Sequence, residues 1–468
     1  MAAEKRPIAL IMIALAWAAG GARAQSQLPD LGTEAPAKRE RPARDYLLPA
    51  AEIATFDLLL NRYNRWFRHD SEYRVDAFTV HRNLRSKWVV DNDPFEVNQF
   101  LHPYQGSMYH GFARSAGFGF WQSMGYTFAG SAGWEIAGES TRPSRNDQIA
   151  SGIAGSFLGE ALFRMSNLVL EKGEPGSLLR EVSAAAISPS AGFNRFAFGE
   201  RFRALLESHN PAYYSRVQVG TSATTQNVAG NSSAGKGGQV LVDFSMDYGL
   251  PGKAGYQYRR PFDYFSFQAI GSSANGIDTL TTRGLLLGRP YELGDRYRGV
   301  WGLYGSYDYL APQLFRISST ALSLGSTAEF RLADALVLQG TALGGVGYAG
   351  VSTLRSTDPN DYHYGVAPQA LLALRLIYKD RVSLDITGRE YFVSKVAGAS
   401  NGGNDNIARA DVSLTFRIHK QHAVAIKYQW SRRDATFPGL SDLTQSRGTL
   451  GIYYTLLGQD RFGTVDWH

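Results

Sequence analysis

From about residue 213 onward, apolar and polar residues alternate with a period of two. Val242, Phe244, Met246 and Tyr248 alternate with Asp243, Ser245 and Asp247. Val382, Leu384 and Ile386 alternate with Ser383, Asp385 and Thr387, and Val412, Leu414, Phe416 and Ile418 with Asp411, Ser413, Thr415 and Arg417. Successive strand side chains point to opposite faces, so each segment has one greasy and one polar face. Water-soluble antiparallel sheets alternate too, but three features favour a lipid-facing barrel. Charges stand in mid-strand on the polar face. Aromatics gather near strand ends, as at Trp301, Tyr307, Tyr309, Tyr428 and Trp430. Connections rich in Gly, Asn and Ser (226–238, 397–406) contrast with tight ones (379–380, 420–421). Strand spacing predicts about twelve strands. Their starts fall at Tyr213, Gln239, Asp263, Ile277, Val300, Arg316, Ala335, Tyr362, Arg381, Ile407, Gln421 and Arg447. An even number puts both barrel ends on one side. Two connections fit poorly: 272–276 is short where a long loop belongs, and 289–299 is long where a turn belongs.

The first half has a different period. Over 50–67, Ile53, Phe56, Leu60, Tyr63 and Phe67 share a helical stripe with Arg62 and Arg65 beside it, as in a packed helix or an interfacial one. Helices rich in Gly and Ala follow over 101–170. Gly125, Ala129, Gly133 and Ala137 recur every four residues, as do Ser151, Gly155 and Gly159 on the next helix. Such stripes let two backbones approach closely, which predicts a tight helical hairpin. Ser144 and Asp147 have capping-box spacing at the start of the second helix. No later run of about 20 apolar residues offers a spanning helix. If the protein is integral, a closed barrel must satisfy its backbone groups in lipid. The expected fold class is therefore α+β: an N-terminal Gly-rich helical domain followed by an antiparallel transmembrane β-barrel of about twelve strands.

The chain's start carries an address. Lys5 and Arg6 precede an uncharged apolar run over 8–20, then Ala22-Arg23-Ala24. A basic region, an apolar region and an A-x-A site make a cleaved secretory signal. The expected division is a signal over 1–24, a proline- and charge-rich linker over 25–46, a helical domain over 47–195 and the barrel over 196–468. The chain has no cysteine, which excludes disulfides, thiolate metal sites and a cysteine nucleophile. A net charge of +6 at pH 7 gives no nucleic-acid footprint. Near the C-terminus, Thr449, Gly451, Tyr454 and Leu456 resemble the outer-membrane assembly signal. The expected location is the outer membrane, with outer-membrane lipid and the barrel-assembly machinery as partners. Oligomeric state stays open.

The densest run of informative residues lies between 88 and 166. His102 precedes Pro103, which biases it away from helix, and leads into a helix with His110 and Arg114. Glu135 and Glu139 are one turn apart, as are Glu160 and Arg164, so each pair shares a face. If the faces converge, His102, Glu135, Glu139, Glu160 and Arg164 form a buried polar cluster. These are the candidate catalytic residues, His102 working as acid or base with a carboxylate. A salt-bridged network fixing helix register weighs more heavily, because no nucleophile is placed by spacing; Ser107 and Ser123 qualify by type only. Without E-x-x-H or H-x-x-x-H spacing no metal is expected, nor any cofactor.

The same run, with Trp88, Asp91, Asp93-Pro94-Phe95, Asn98-Gln99, a His102-Pro103-Tyr104-x-Gly106 core and the following Arg114, resembles a bacterial family known as domain of unknown function 3943. The resemblance implies a Gram-negative envelope protein and no established activity. Two functions remain. One is envelope organisation or passage of a solute or lipid, with the helical domain on the periplasmic side or plugging the lumen. Asp385, Arg389, Arg409, Asp411, Arg417 and Lys427 would then line the lumen. The other is an envelope enzyme modifying lipid, lipopolysaccharide or peptidoglycan through His102 and the Glu cluster.

Overall fold

The computed structural model describes residues 45–467, apart from 69–70, 174–176, 200–207, 229–237, 312–313, 353–359, 361, 399–402 and 439–440. The expected signal and nearly all of the expected linker lie outside the described residues. Eight α-helices are described: α1 (Leu47–Tyr63), α2 (Ala77–Arg85), α3 (His102–Ser115), α4 (Phe120–Ala137), α5 (Arg145–Ile149), α6 (Gly155–Lys172), α7 (Leu178–Ile187) and α8 (Pro189–Phe198). Twelve described strands follow: β1 (Tyr213–Val228), β2 (Gln239–Tyr248), β3 (Phe265–Ser272), β4 (Gly276–Leu293), β5 (Tyr297–Leu310) and β6 (Ile317–Ala333), then β7 (Leu336–Ser352), β8 (Tyr362–Tyr378), β9 (Val382–Gly398), β10 (Asn404–His419), β11 (His422–Thr436) and β12 (Leu443–Leu457).

The strands form a closed barrel in which each pairs with its chain neighbours and β1 closes on β12. All pairings are antiparallel, and at the seam Val217 lies opposite Leu456 and Ala223 opposite Leu450. Closure leaves no unpaired edge. The awkward 289–299 connection is mostly strand: β4 runs to Leu293, β5 begins at Tyr297, and Gly294 takes a positive φ of 59° in the turn. A bulge between Leu285 and Leu287 reverses the alternation there, which hides the strand from a period-two reading. At Lys379-Asp380 both residues are left-handed (φ 49° and 47°), as a tight hairpin whose twist matches its strands requires.

The faces sort as the alternation predicts. Leu324, Val346, Leu372, Phe416, Ile426 and Ile452 are exposed on the outside. Asp385, Arg409 and Lys427 are inside: Asp385 pairs with Arg216 and Arg375, Arg409 with Asp411, and Lys427 with Asp243. Glu390, opposite Ala370 and Ala408, is an exposed outward carboxylate.

The helical unit is neither below the barrel nor inside it, the two placements expected from sequence. It lies against the outer wall. Phe95, Phe120, Phe157, Leu158, Leu162 and Met165 form one core with outward residues of β2, β3, β5 and β8, among them Phe244, Phe267, Tyr307, Tyr309 and Tyr364. Gly305 leaves room for Phe157 to lie on the wall; a Cβ there would stand 2.5 Å from its ring. The outward apolar face of a strand is the same sequence pattern whether lipid or a helix covers it.

The close helix approach is also not where the small-residue stripes place it. A Cβ on Gly106 of α3 would lie 2.0 Å from the Ser151 carbonyl oxygen, and one on Gly155 would lie 2.6 Å from Gly106 Cα. The second stripe therefore meets α3, not α4, and Gly125 of α4 faces open space. On α1, Ile53 is buried in a cluster with Tyr109 and Phe112, while Tyr63 and the following Phe67 are exposed.

After β12 the chain turns back into the barrel mouth that carries the short turns. Trp467 Nε1 donates to Glu329 Oε1 at 2.9 Å, Gln339 donates to the Gly463 carbonyl at 2.7 Å and Arg331 to that of Val465 at 2.7 Å. The Trp467 ring lies between the Arg298 and Arg331 guanidiniums, at 4.8 and 4.2 Å.

Candidate functional site

The sequence candidates fall into two separate buried clusters. His102 is helical, with φ −61° and ψ −46°, contrary to its expected bias. A π-helical turn over Val97–Leu101 leads into it, and Pro103 stands in the first turn of α3. Its Nδ1 faces Ser151 Oγ at 3.3 Å and its Nε2 faces Asp147 Oδ2 at 3.7 Å. Glu135, from the end of α4, joins them: one ligand-type atom from each of His102, Glu135 and Asp147 lies within 4.8 Å of the others. Ser144 does cap α5, accepting from Asp147 N at 3.2 Å. The reciprocal half of the box is missing, because Ser144 N donates to Glu135 Oε2 at 2.8 Å. That frees the Asp147 carboxyl for His102.

Asp91 completes this cluster. It accepts from Asn98 at 2.6 Å and Asn146 at 2.7 Å, and those amides also reach Tyr362 and Tyr364 hydroxyls on β8 at 2.8 and 3.0 Å. The cluster thus bridges the helical unit and the barrel wall. Burial pushes His102 down to about 4, with Asp91 opposing. Burial and then the adjacent Asp91 hold Asp147 well above the carboxylate range. Burial and then Glu139 do the same to Glu135. Burial, Asp93 and Glu72 raise Glu139 to about 8. Glu139 accepts from Trp134 Nε1 at 2.7 Å and stands beside the cluster.

Glu160 and Arg164 belong to the second cluster. Glu160, 0% exposed, accepts from Arg114 Nε at 2.6 Å and Arg164 Nε at 2.7 Å, with His110 Nε2 at 3.1 Å. Burial would raise its pKa, but Arg114 and Arg164 together pull it well below the ordinary value. Arg164 continues to Asp263 Oδ1 at 3.0 Å and the Pro261 carbonyl at 2.7 Å, tying α6 to the loop before β3. Every oxygen of Glu160 is engaged by a cation or imidazole, an arrangement suited to holding elements together.

Residues 87–190 match the family described as "Domain of unknown function (DUF3943)". The DUF3943 segment contains the helical side of both clusters. Their barrel partners Asp263, Tyr362 and Tyr364 lie beyond it, so no motif within the segment could have revealed them. Asp91 and Asn98 stood in the family-like run without a role, and only their convergence with Asn146 gives them one. No curated protein matches the sequence. The chain is similar to solved outer-membrane porins and channels. The NanC porin shares 10% identity at a TM-score of 0.26, over 51% of this chain and 98% of that one. An outer-membrane channel from Pseudomonas putida F1 shares 12% at 0.28, over 53% and 96%. The channel DcaP of Acinetobacter baumannii shares 8% at 0.24, over 52% and 96%.

The lumen holds a third array. Arg216, Asp247, Arg283, Arg375, Asp385 and Arg389 contribute to the lining of a cavity of about 140 Å³. Asp385 is shared by Arg216 at 2.9 Å and Arg375 at 2.7 Å, and Arg283 pairs with Asp308. The polar cavity lies in the lumen, whereas His102 and its neighbours are 4% exposed or less for His102, Glu135 and Asp147. A substrate could reach them only by parting packed helices.

Proposed function

We propose that this chain is an outer-membrane β-barrel of a Gram-negative envelope, exported by a leader cleaved near residue 24, and that it passes a small charged solute through a lumen gated by its own C-terminal segment. The observation that carries the reading is the charged lumen with Trp467 seated on Glu329 at its mouth. A barrel with an apolar exterior and ionic interior is stable where lipid surrounds it and water fills it. β1 begins and β12 ends at the short-turn mouth, which is the periplasmic one in exported barrels. The exposed apolar residues of the helical unit, such as Leu58, Leu59, Trp66 and Phe67, extend the lipid-facing surface, and outer-membrane lipid is their partner. The barrel-assembly machinery recognises β12, where Tyr454 faces outward.

The test is conductance across planar bilayers. The reading expects low conductance from the full chain and several-fold higher conductance after Trp467→Ala or removal of residues 459–468. Equal conductance in all three forms, or none in any, refutes it.

A further inference from the structure

We propose that His102, Glu135 and Asp147 form a binding site for one divalent first-row metal ion of the Zn²⁺ or Mn²⁺ kind. The inference is independent of solute passage. One imidazole and two carboxylates are donors that suit such ions. They come from three separate segments, at the start of α3, near the end of α4 and within α5, yet their ligand-type atoms lie within 4.8 Å of one another.

Convergence of acidic groups alone would prove little. The second observation is that Asp147 Oδ2 and Glu135 Oε1 are buried with no hydrogen-bond partner. Their side chains are 1% and 2% exposed. A buried carboxylate oxygen left without a donor is costly, and a cation is the partner both oxygens lack. The other oxygens are already held: Glu135 Oε2 by Ser144 N and Asp147 Oδ1 by Asn146. Each acid thus keeps one oxygen anchored and one unpaired.

The surroundings complete the arrangement. Ser151 Oγ can accept a hydrogen bond from His102 Nδ1–H, the tautomer in which Nε2 carries no proton and is turned toward Asp147. Metal-bound histidines use their second nitrogen in this way. Asp91, fixed by Asn98 and Asn146, adds negative charge beside the site. Through the same two amides the ion would join three helical segments to Tyr362 and Tyr364 of β8, so its role is to clamp the helical unit to the wall.

The experiment uses the full chain purified in detergent. Metal content is measured as isolated, after stripping with a chelator, and after reloading with Zn²⁺ or Mn²⁺. About one ion per chain is expected, with at least tenfold weaker binding in Glu135→Gln and Asp147→Asn. Stripping should also speed proteolysis of the helical unit. Because a variant could misfold, Co²⁺ is loaded into the stripped wild-type protein, and its absorption spectrum should show mixed nitrogen and oxygen coordination. No stoichiometric uptake by the wild type, an all-oxygen Co²⁺ spectrum, or equal uptake by folded Asp147→Asn would each overturn the proposal and leave shared protons as the partners of these oxygens.

Discussion

Replacing Glu160 should open the helical unit, whose α3 and α6 it ties together. Glu160 is fully buried and engages Arg114, Arg164 and His110 at 2.6, 2.7 and 3.1 Å. Glu160→Ala strands the Arg114 guanidinium, whose remaining partner is the Phe118 carbonyl. Arg164 keeps Asp263. Removing one member of a buried ionic group costs about 3–5 kcal/mol, or roughly two to four powers of ten in the population of the opened unit. Glu160→Gln keeps the shape and one acceptor, so it should cost less, about 1.5–3 kcal/mol. The assay is trypsin digestion across a urea series, with the barrel core as the resistant internal reference. The pH dependence has a definite sign. Burial pushes Glu160 up, but Arg114 and Arg164 hold it well below its ordinary value. Its contribution is therefore present above the unfolded carboxylate value of about 4.3 and lost as pH falls below that toward the folded value. Glu160→Gln should abolish that acid-dependent component. Digestion rates unchanged by Glu160→Ala, or resistance that improves as pH falls, would refute the reasoning.

Gly106→Ala puts a methyl group 2.0 Å from the Ser151 carbonyl and should destabilise the α3–α6 contact by about 1–3 kcal/mol or more, read in the same proteolysis series. Asp385→Asn removes the anion shared by Arg216 and Arg375, so the reversal potential in a salt gradient should shift toward anion selectivity; a shift toward cations counts against a conducting lumen. Envelope-extracted protein should begin near Gln25 by intact mass, and a chain retaining residues 1–24 contradicts cleavage at that site.

The strands were legible because lipid and lumen impose opposite chemistry on alternate residues. All twelve starts fall within four residues of the expected positions. The alternation failed at Leu285–Leu287, where the bulge reverses parity and makes Arg289 an outward residue. Placement of the helical unit was not legible, since Phe244, Phe267 and Tyr307 would look the same under lipid. The polar residues were found, but spacing of one turn fixes only which side chains share a helix face, not how the helices rotate against each other. Glu160 consequently met His110 and Arg114, whereas His102 met Asp147, a residue whose capping position had accounted for it already. Tyr362 and Tyr364 alternate correctly as outward strand residues, and nothing local marks them as partners of Asn98 and Asn146.

The central claim, a barrel with lipid outside and an aqueous lumen, is tested most directly by single cysteines, since the chain has none of its own. Ile452→Cys lies on the outer wall, 63% exposed, and Thr387→Cys lines the lumen cavity. In intact outer-membrane vesicles, Ile452→Cys should react with a lipid-phase thiol reagent and resist a small charged methanethiosulfonate, while Thr387→Cys does the reverse. Reaction of Ile452→Cys with the charged reagent, together with protection of Thr387→Cys, would contradict the account.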